Sequence, residues 1–437
     1  MTASGSRSLR GNVVLNLAGY GLPLVAALAA VPELMQRLGP ERFGMLALAW
    51  TVVSVAGMLD LGVGRALTKL VAESVGRDSS GEAGRLVGTA LALNVTLGLA
   101  LMGALMALAP VVVERVLEVP SWLRPEAVVA LRVLALAVPA VLLGNSLRGV
   151  LEAHQRFGRL TVVRTLYGLA VFLGPLAVSY ASAHLAWVMA VLVAARLITL
   201  GWLVTLVRRT VPSPWGCHVS AVAGLLRLGG WMSVSSVIAS GLLYVDRFVI
   251  GAVVSLEAVA AYAAPAEVMQ RLAVAPAAVM GVAFPAFSQA LAEDGRRARR
   301  LYRRSLLAVA ALLALPAAVL GVFSRPLLTL WLGPDMAARS APVASVLAVG
   351  ILLHGLAQPS FALLQAAGRP DLPARLHLVE APLYLGYLLW LTERFGIVGS
   401  AVAWTLRVTL SLTVLSFMAR RVVLARCDQG RVAETEP

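Results

Sequence analysis

Long apolar stretches alternate with short polar connections along the whole chain. The apolar runs cover residues 12–32, 43–60, 86–112, 126–149, 160–180, 184–206, 228–254, 262–288, 304–323, 342–365, 375–391 and 397–419. About 20 apolar residues suffice to cross a bilayer as a helix, so the pattern predicts an all-α integral membrane protein with about twelve transmembrane helices. The connections are short and leave no room for a soluble domain. Prolines recur inside the runs, at Pro23, Pro139, Pro175, Pro276, Pro285, Pro316 and Pro359. Lipid-buried helices tolerate them where neighbours satisfy the freed carbonyls.

Composition agrees with lipid as the solvent. The 437 residues are 59% hydrophobic and 14% charged, more apolar surface than a soluble domain of this size can hide. The net charge of +15 would point to nucleic acid in a soluble protein. In a membrane protein it places loops against an anionic cytoplasmic leaflet, so membrane lipids are the expected partner and nucleic acid is not. The arginine-dense segment Arg296–Arg304 reads the same way, as a topology anchor.

The distribution of charge converts spans into a topology. Of the 37 basic residues, 25 lie in the N-terminal tail, the even-numbered connections with the span ends that border them, and the C-terminal tail. Only 7 lie on the other side, at Arg37, Arg42, Arg115, Arg124, Arg325, Arg339 and Arg394. Arg and Lys mark cytoplasmic ends, which puts both termini in the cytoplasm of a multi-pass inner (plasma) membrane protein and requires an even number of spans. Arg7 and Arg10 before the first run, with Ala27-Leu28-Ala29 inside it, fit a cleaved signal peptide or an uncleaved first span. The length of the run and the spans that follow favour the second.

The two halves resemble each other. An offset of 213 residues aligns Leu151 with Leu364, Ala153 with Ala366 and Arg156 with Arg369. Six spans per half give the halves one orientation, so they form two parallel six-helix repeats. The lobes are 1–210 and 211–437, the second carrying the cytoplasmic tail. In such folds the substrate site lies between the repeats.

Five arginines fall within spans: Arg132, Arg196, Arg247, Arg271 and Arg407. Charges there are costly and face a bundle interior or a wet cavity. Together they predict a cationic cavity for a polyanionic headgroup such as pyrophosphate, because guanidinium binds phosphate oxygens in pairs and keeps its charge. Arg196 and Arg407 lie near span centres. Arg132 and Arg271 lie closer to an external end and could equally snorkel outward. Three acids share the spans, Asp246, Glu267 and Glu380. Each is a candidate for ion coupling or for a structural ion pair, such as Asp246 with Arg271; adjacency rules out a facing Asp246–Arg247 pair. Asp60, Gly62 and Gly64 after the second span form a gate hinge or a turn in which Asp60 caps the next helix, and the turn is the simpler reading.

Other chemistry is missing. Cys217 and Cys427 fall in predicted cytoplasmic segments and support neither a disulfide framework nor a metal site. His184 and His354 are isolated in the sequence. No GxxxxGK[ST] motif is present, which argues against ATP hydrolysis within the chain, and no cofactor is expected.

Several short motifs occur in a recognisable order. They are Asn12-Val-Val-Leu-Asn16 with Arg37-Leu-Gly-Pro-Glu41-Arg-Phe43-Gly44, then Leu59-Asp60-Leu-Gly62. Tyr244-Val-Asp246-Arg-Phe-Val-Ile-Gly251 with Ala261-Tyr262 follows, and last come Leu364-Gln365-Ala-Ala-Gly368-Arg369-Pro370 and Gly396-Ile-Val-Gly399-Ser-Ala401. The series resembles the polysaccharide-biosynthesis flippases, the Wzx-type O-antigen transporters of the MATE-like (MOP) exporter superfamily. The resemblance implies MATE-like lobes forming a V-shaped cavity. It also implies alternating-access movement of an undecaprenyl-pyrophosphate-linked glycan to the external leaflet, for cell-surface or exopolysaccharide synthesis. Polymerase and chain-length proteins would be further partners. Two alternatives stand beside it: a MATE-like drug or metabolite antiporter, and a membrane glycan polymerase or ligase. The excess of arginine over acid in the spans argues against the first, and the short external connections argue against an enzyme.

Overall fold

A computed structural model describes residues 4–60, 62–76, 80–154, 156–211, 215, 216, 218, 222, 225, 241, 242, 244–293 and 295–424. The described residues are all-helical apart from turns and connections. Cys217, Cys427 and most of the predicted span 228–254 lie outside them. By internal contacts the chain forms two compact units, Met1–Ala260 and Ala261–Pro437.

In the first unit the order is α1 (Ser4–Leu38), α2 (Pro40–Ala56), α3 (Val63–Gly76), α4 (Ser80–Val111), α5 (Arg124–Ala135), α6 (Ala137–Ala153), α7 (Phe157–Ser179) and α8 (Leu185–Thr210). A helix α9 covers residues 244–253. Then come α10 (Leu256–Leu272), in which the two units meet along the chain, α11 (Val274–Glu293), α12 (Gly295–Val322), α13 (Ser324–Leu332), α14 (Pro334–Ala366) and α15 (Asp371–Met418).

Among the described residues, seven helical stretches are long and apolar enough to cross a membrane: Gly81–Val116, Arg124–Ala153, Phe157–Ser179, Leu185–Thr210, Gly295–Val322, Pro334–Ala366 and Asp371–Arg421. Their apolar side chains point outward as well as inward. Leu330 is 89% exposed and Ile198 72%. Exposed apolar surface on this scale is stable only against lipid.

Two apolar runs that read as single spans are broken. In 126–149 the break falls at Leu136, between α5 and α6. Pro139 has no N–H for the carbonyl of Ala135, and Leu136 N closes a tighter turn onto Val133 O at 3.1 Å. In 262–288, Pro276 cannot bond Leu272 O, and α10 gives way to α11 at Ala273. The last two predicted spans are two helical arms of α15 that meet at Gly396, where the backbone leaves the helix with φ 57° and ψ −143°. That conformation strains a residue with a Cβ but not glycine. Contacts of Thr392 with Ser400 and of Glu380 with Ser411 make residues 371–395 and 397–418 two antiparallel arms.

The first unit's apolar core joins α3, α4, α6 and α8 through Leu67, Val87, Leu147, Val150 and Val207. One carboxylate ties three helix starts together. Glu126 in the first turn of α5 accepts from Arg42 Nε at 3.1 Å and Arg42 Nη2 at 2.9 Å, at the start of α2. It also accepts from Leu185 N at 2.6 Å, an unpaired amide at the start of α8. The carboxylate sits with the positive ends of two helix dipoles. This pair is mostly buried, with side-chain exposures of 26% and 10%, whereas the Arg37–Glu33 pair is more open. Glu126→Ala is therefore expected to cost about 2 kcal/mol, and Glu33→Ala about 0.5 kcal/mol or less. Thermal unfolding of the purified variants measures both.

Candidate functional site

Each unit holds a cluster centred on an arginine. In the first, Arg196 lies midway along α8, half-buried. Its Cζ stands 3.9 Å from the centroid of the Tyr167 ring on α7, a cation–π contact that holds a guanidinium without a counter-charge. Its Nε is buried and has no hydrogen-bond partner among the described residues. Arg148 on α6 is exposed and lies in the electrostatic field of Tyr167, Arg164, Glu152 and Asp60; Arg196 lies in turn in the fields of Tyr167 and Arg148. Asn145 orients Arg148: its Oδ1 accepts from Arg148 Nη2, and its Nδ2 donates to Gly57 O after α2.

The cluster therefore brings three guanidinium groups together with two carboxylates. One of these, Asp60, is already engaged. Its Oδ1 accepts from Gly62 N at 2.9 Å and its Oδ2 from Gly64 N at 3.1 Å, capping α3. Gly62 has φ +68°, and a Cβ on Gly64 would lie 2.8 Å from Asp60 Oδ2. Asp60, Gly62 and Gly64 thus form a capped turn. The helix that follows it is the short α3.

In the second unit Arg407 is buried on the second arm of α15, its Cζ 5.3 Å from the Tyr384 ring centroid on the first arm. Glu380, 1% exposed, accepts from Ser411 Oγ at 2.5 Å and lies 3.2 Å from His377 Nδ1. His354 on α14 contacts Gln358 at 3.2 Å and faces the Trp404 ring.

The remaining arginines and acids lie elsewhere. Arg247 is 1% exposed, its Nη1 donating to Thr51 Oγ1 on α2 at 3.1 Å and its Cζ 5.7 Å from the Tyr244 ring. Asp246 accepts from the backbone N of Arg247 at 2.8 Å. Arg271 bridges Glu267 one turn away at 3.6 Å, both partly exposed. Arg132 is exposed on α5. Sequence reasoning missed Arg148 and Arg164, which count as cytoplasmic-end charge, along with Tyr167, His377 and the neighbours of His354. Arg164 and Tyr167 share one face of α7 at spacing i, i+3, which is the one signal in the sequence for their proximity.

Among the described residues no group of three His, Cys, Asp or Glu could hold a metal ion.

All-helical architecture with lipid-facing apolar surface defines a multi-pass membrane protein. The chain belongs to the polysaccharide biosynthesis protein family, whose model matches residues 34–337. It is 29% identical over 418 residues to a Shigella flexneri protein that carries the name of a putative O-antigen transporter, covering 95% of this chain and 98% of that one. It also resembles an inward-facing multidrug-resistance MATE family transporter of the MOP superfamily, with 13% identity, coverage of 95% and 99%, and a TM-score of 0.81. A MOP superfamily transporter from Pyrococcus furiosus, described by a binding pocket of reverse polarity, matches at 15% identity over 98% and 99% with a TM-score of 0.70. At these identities the two structures establish a MATE-like fold.

The capped turn carries a direct expectation. Asp60→Ala removes two charge-assisted bonds to amides and should cost about 1–2 kcal/mol. Gly62→Ala forces a Cβ into the left-handed region and should cost about 1 kcal/mol. Both lower the midpoint of thermal unfolding.

Proposed function

We propose that this protein is a flippase that moves a polyprenyl-pyrophosphate-linked oligosaccharide from the cytoplasmic to the external leaflet by alternating access. Twelve spans form two parallel six-helix lobes, 1–210 and 211–437, in the inner membrane with both termini in the cytoplasm. The glycan is destined for the cell surface, and polymerase and chain-length proteins act after it.

The observation that carries this reading is the gathering of Arg148 and Arg196 around Tyr167, with Arg164 acting on Arg148, in a membrane-embedded unit. Arginines are retained at such cost where they meet an anion. A pyrophosphate offers several oxygens to paired guanidinium donors, and guanidinium keeps its charge through the cycle. Arg196 has a buried Nε still to satisfy, and Arg407 offers the same in the second unit. The family and the Shigella flexneri relative support a polysaccharide cargo.

In a strain lacking its own O-antigen flippase and supplied with a glycan this chain accepts, the wild type restores surface polymer. Arg196→Ala and Arg407→Ala should each reduce export by about tenfold or more, the loss of one charge-assisted contact, at unchanged membrane abundance. Arg132→Ala, on an exposed face, should leave export within about twofold. Full export by both buried-arginine variants would refute the cationic-site reading.

A further inference from the structure

Buried carboxylates in membrane proteins are usually held by a permanent cation, and Glu380 is not. Arg407 lies one turn from Ser411, yet it stands over Tyr384 and makes no salt bridge to Glu380. The carboxylate pairs instead with His377, whose Nδ1 lies 3.2 Å from Oε2. His377 keeps 12% of its side chain exposed while Glu380 keeps 1%, so the imidazole is the more accessible member of the pair.

We propose that His377 and Glu380 form a proton-exchange site in the second unit, in which the ring takes up and releases one proton beside a fixed carboxylate. In this scheme the carboxylate is ionised and only accepts hydrogen bonds, so Nδ1 of His377, 3.2 Å from Glu380 Oε2, is the nitrogen that carries hydrogen and donates. The lone pair left for a proton is on Nε2. Loading adds a proton from water to Nε2 and makes an imidazolium–carboxylate pair; unloading returns the proton to water and leaves a neutral hydrogen bond.

The surroundings define which ring is used. From its own arm the pair is faced by Tyr384 and Tyr387, which ordinarily hold their protons across the neutral range. From the second arm comes Arg407, which stays charged, and from α14 comes His354. His354 has an amide, Gln358, rather than a carboxylate beside it. Of the two imidazoles and the guanidinium here, Glu380 touches His377 alone, and its other oxygen is held by Ser411.

The site also bears on movement. Glu380 bridges the two arms of α15 by holding Ser411 at 2.5 Å with one oxygen and His377, three residues away on its own arm, with the other. A proton on His377 strengthens the bond within the first arm at the expense of the bond to the second. Use of this change in transport rests on the flippase reading; binding of the proton does not.

Nitrogen-15 NMR of the histidine-labelled full chain in lipid nanodiscs, titrated from about pH 5 to 8.5, tests the site without any cargo. His377 is assigned as the signal lost in His377→Gln. The ring of His377 is expected to change charge within this range, and in Glu380→Gln the change should move toward acid by about one pH unit, a tenfold weaker hold on the proton. Glu380→Asp, which keeps the charge, should retain part of that hold and controls for folding. A His377 ring that does not change charge, or that titrates alike in wild type and Glu380→Gln, overturns the proposal. In cells, His377→Gln should flatten the pH dependence of glycan export. An unchanged profile would remove the link to transport, whereas absence of export by the wild type would count against the flippase reading alone.

Discussion

Hydrocarbon offers no partner to a peptide group or a charge. That constraint makes every span a helix with its own hydrogen bonds satisfied. It also makes each departure from apolar regularity costly enough to need local compensation. Pro139 and Pro276 leave carbonyls unbonded, and the chain responds by ending one helix and starting another within a residue or two. A free amide at the start of α8 and the Arg42 guanidinium at the start of α2 converge on Glu126. Asp60 satisfies two amides at the start of α3. The same accounting marks the exceptions: Arg196 and Arg407 each keep a buried Nε without a partner among the described residues.

Hydropathy made the membrane class legible because lipid acts on every residue of a span alike. Helices Gly81–Val116, Phe157–Ser179, Leu185–Thr210 and Pro334–Ala366 coincide to within a few residues with apolar runs read from the sequence. The breaks at Leu136 and Ala273 were not legible, since hydropathy averages over a window while a missing N–H acts on a single carbonyl. Arg196 and Arg407 stood out because they sit mid-span. Their neighbours did not, because Tyr167 with Arg196, or His354 with Trp404, meet only when two successive helices pack side by side. Arg148 was hidden for another reason: as a charge near a cytoplasmic end it already had a sufficient explanation. His377 and Glu380 are three residues apart, and their pairing takes its meaning from Ser411, which reaches them only after the chain reverses at Gly396.

The two clusters differ in kind. Around Tyr167 the side chains are permanently charged and positive charge is in excess, a fixed field suited to an anion that is not to be protonated. Around Glu380 the charge depends on a proton that His377 can hold or release. A carrier that moves an anionic headgroup through lipid needs the first property throughout its cycle, and the second is a means of giving that cycle a direction.

The central claim is that the arginines of the first unit recognise pyrophosphate on a lipid. Native mass spectrometry of the purified full chain, incubated with undecaprenyl pyrophosphate or with undecaprenol, tests it directly. The wild type is expected to retain the pyrophosphate lipid well above the alcohol, and Arg148→Ala and Arg196→Ala should lose most of that preference. Equal retention of the two lipids by the wild type, or an undiminished preference in both variants, would contradict the account.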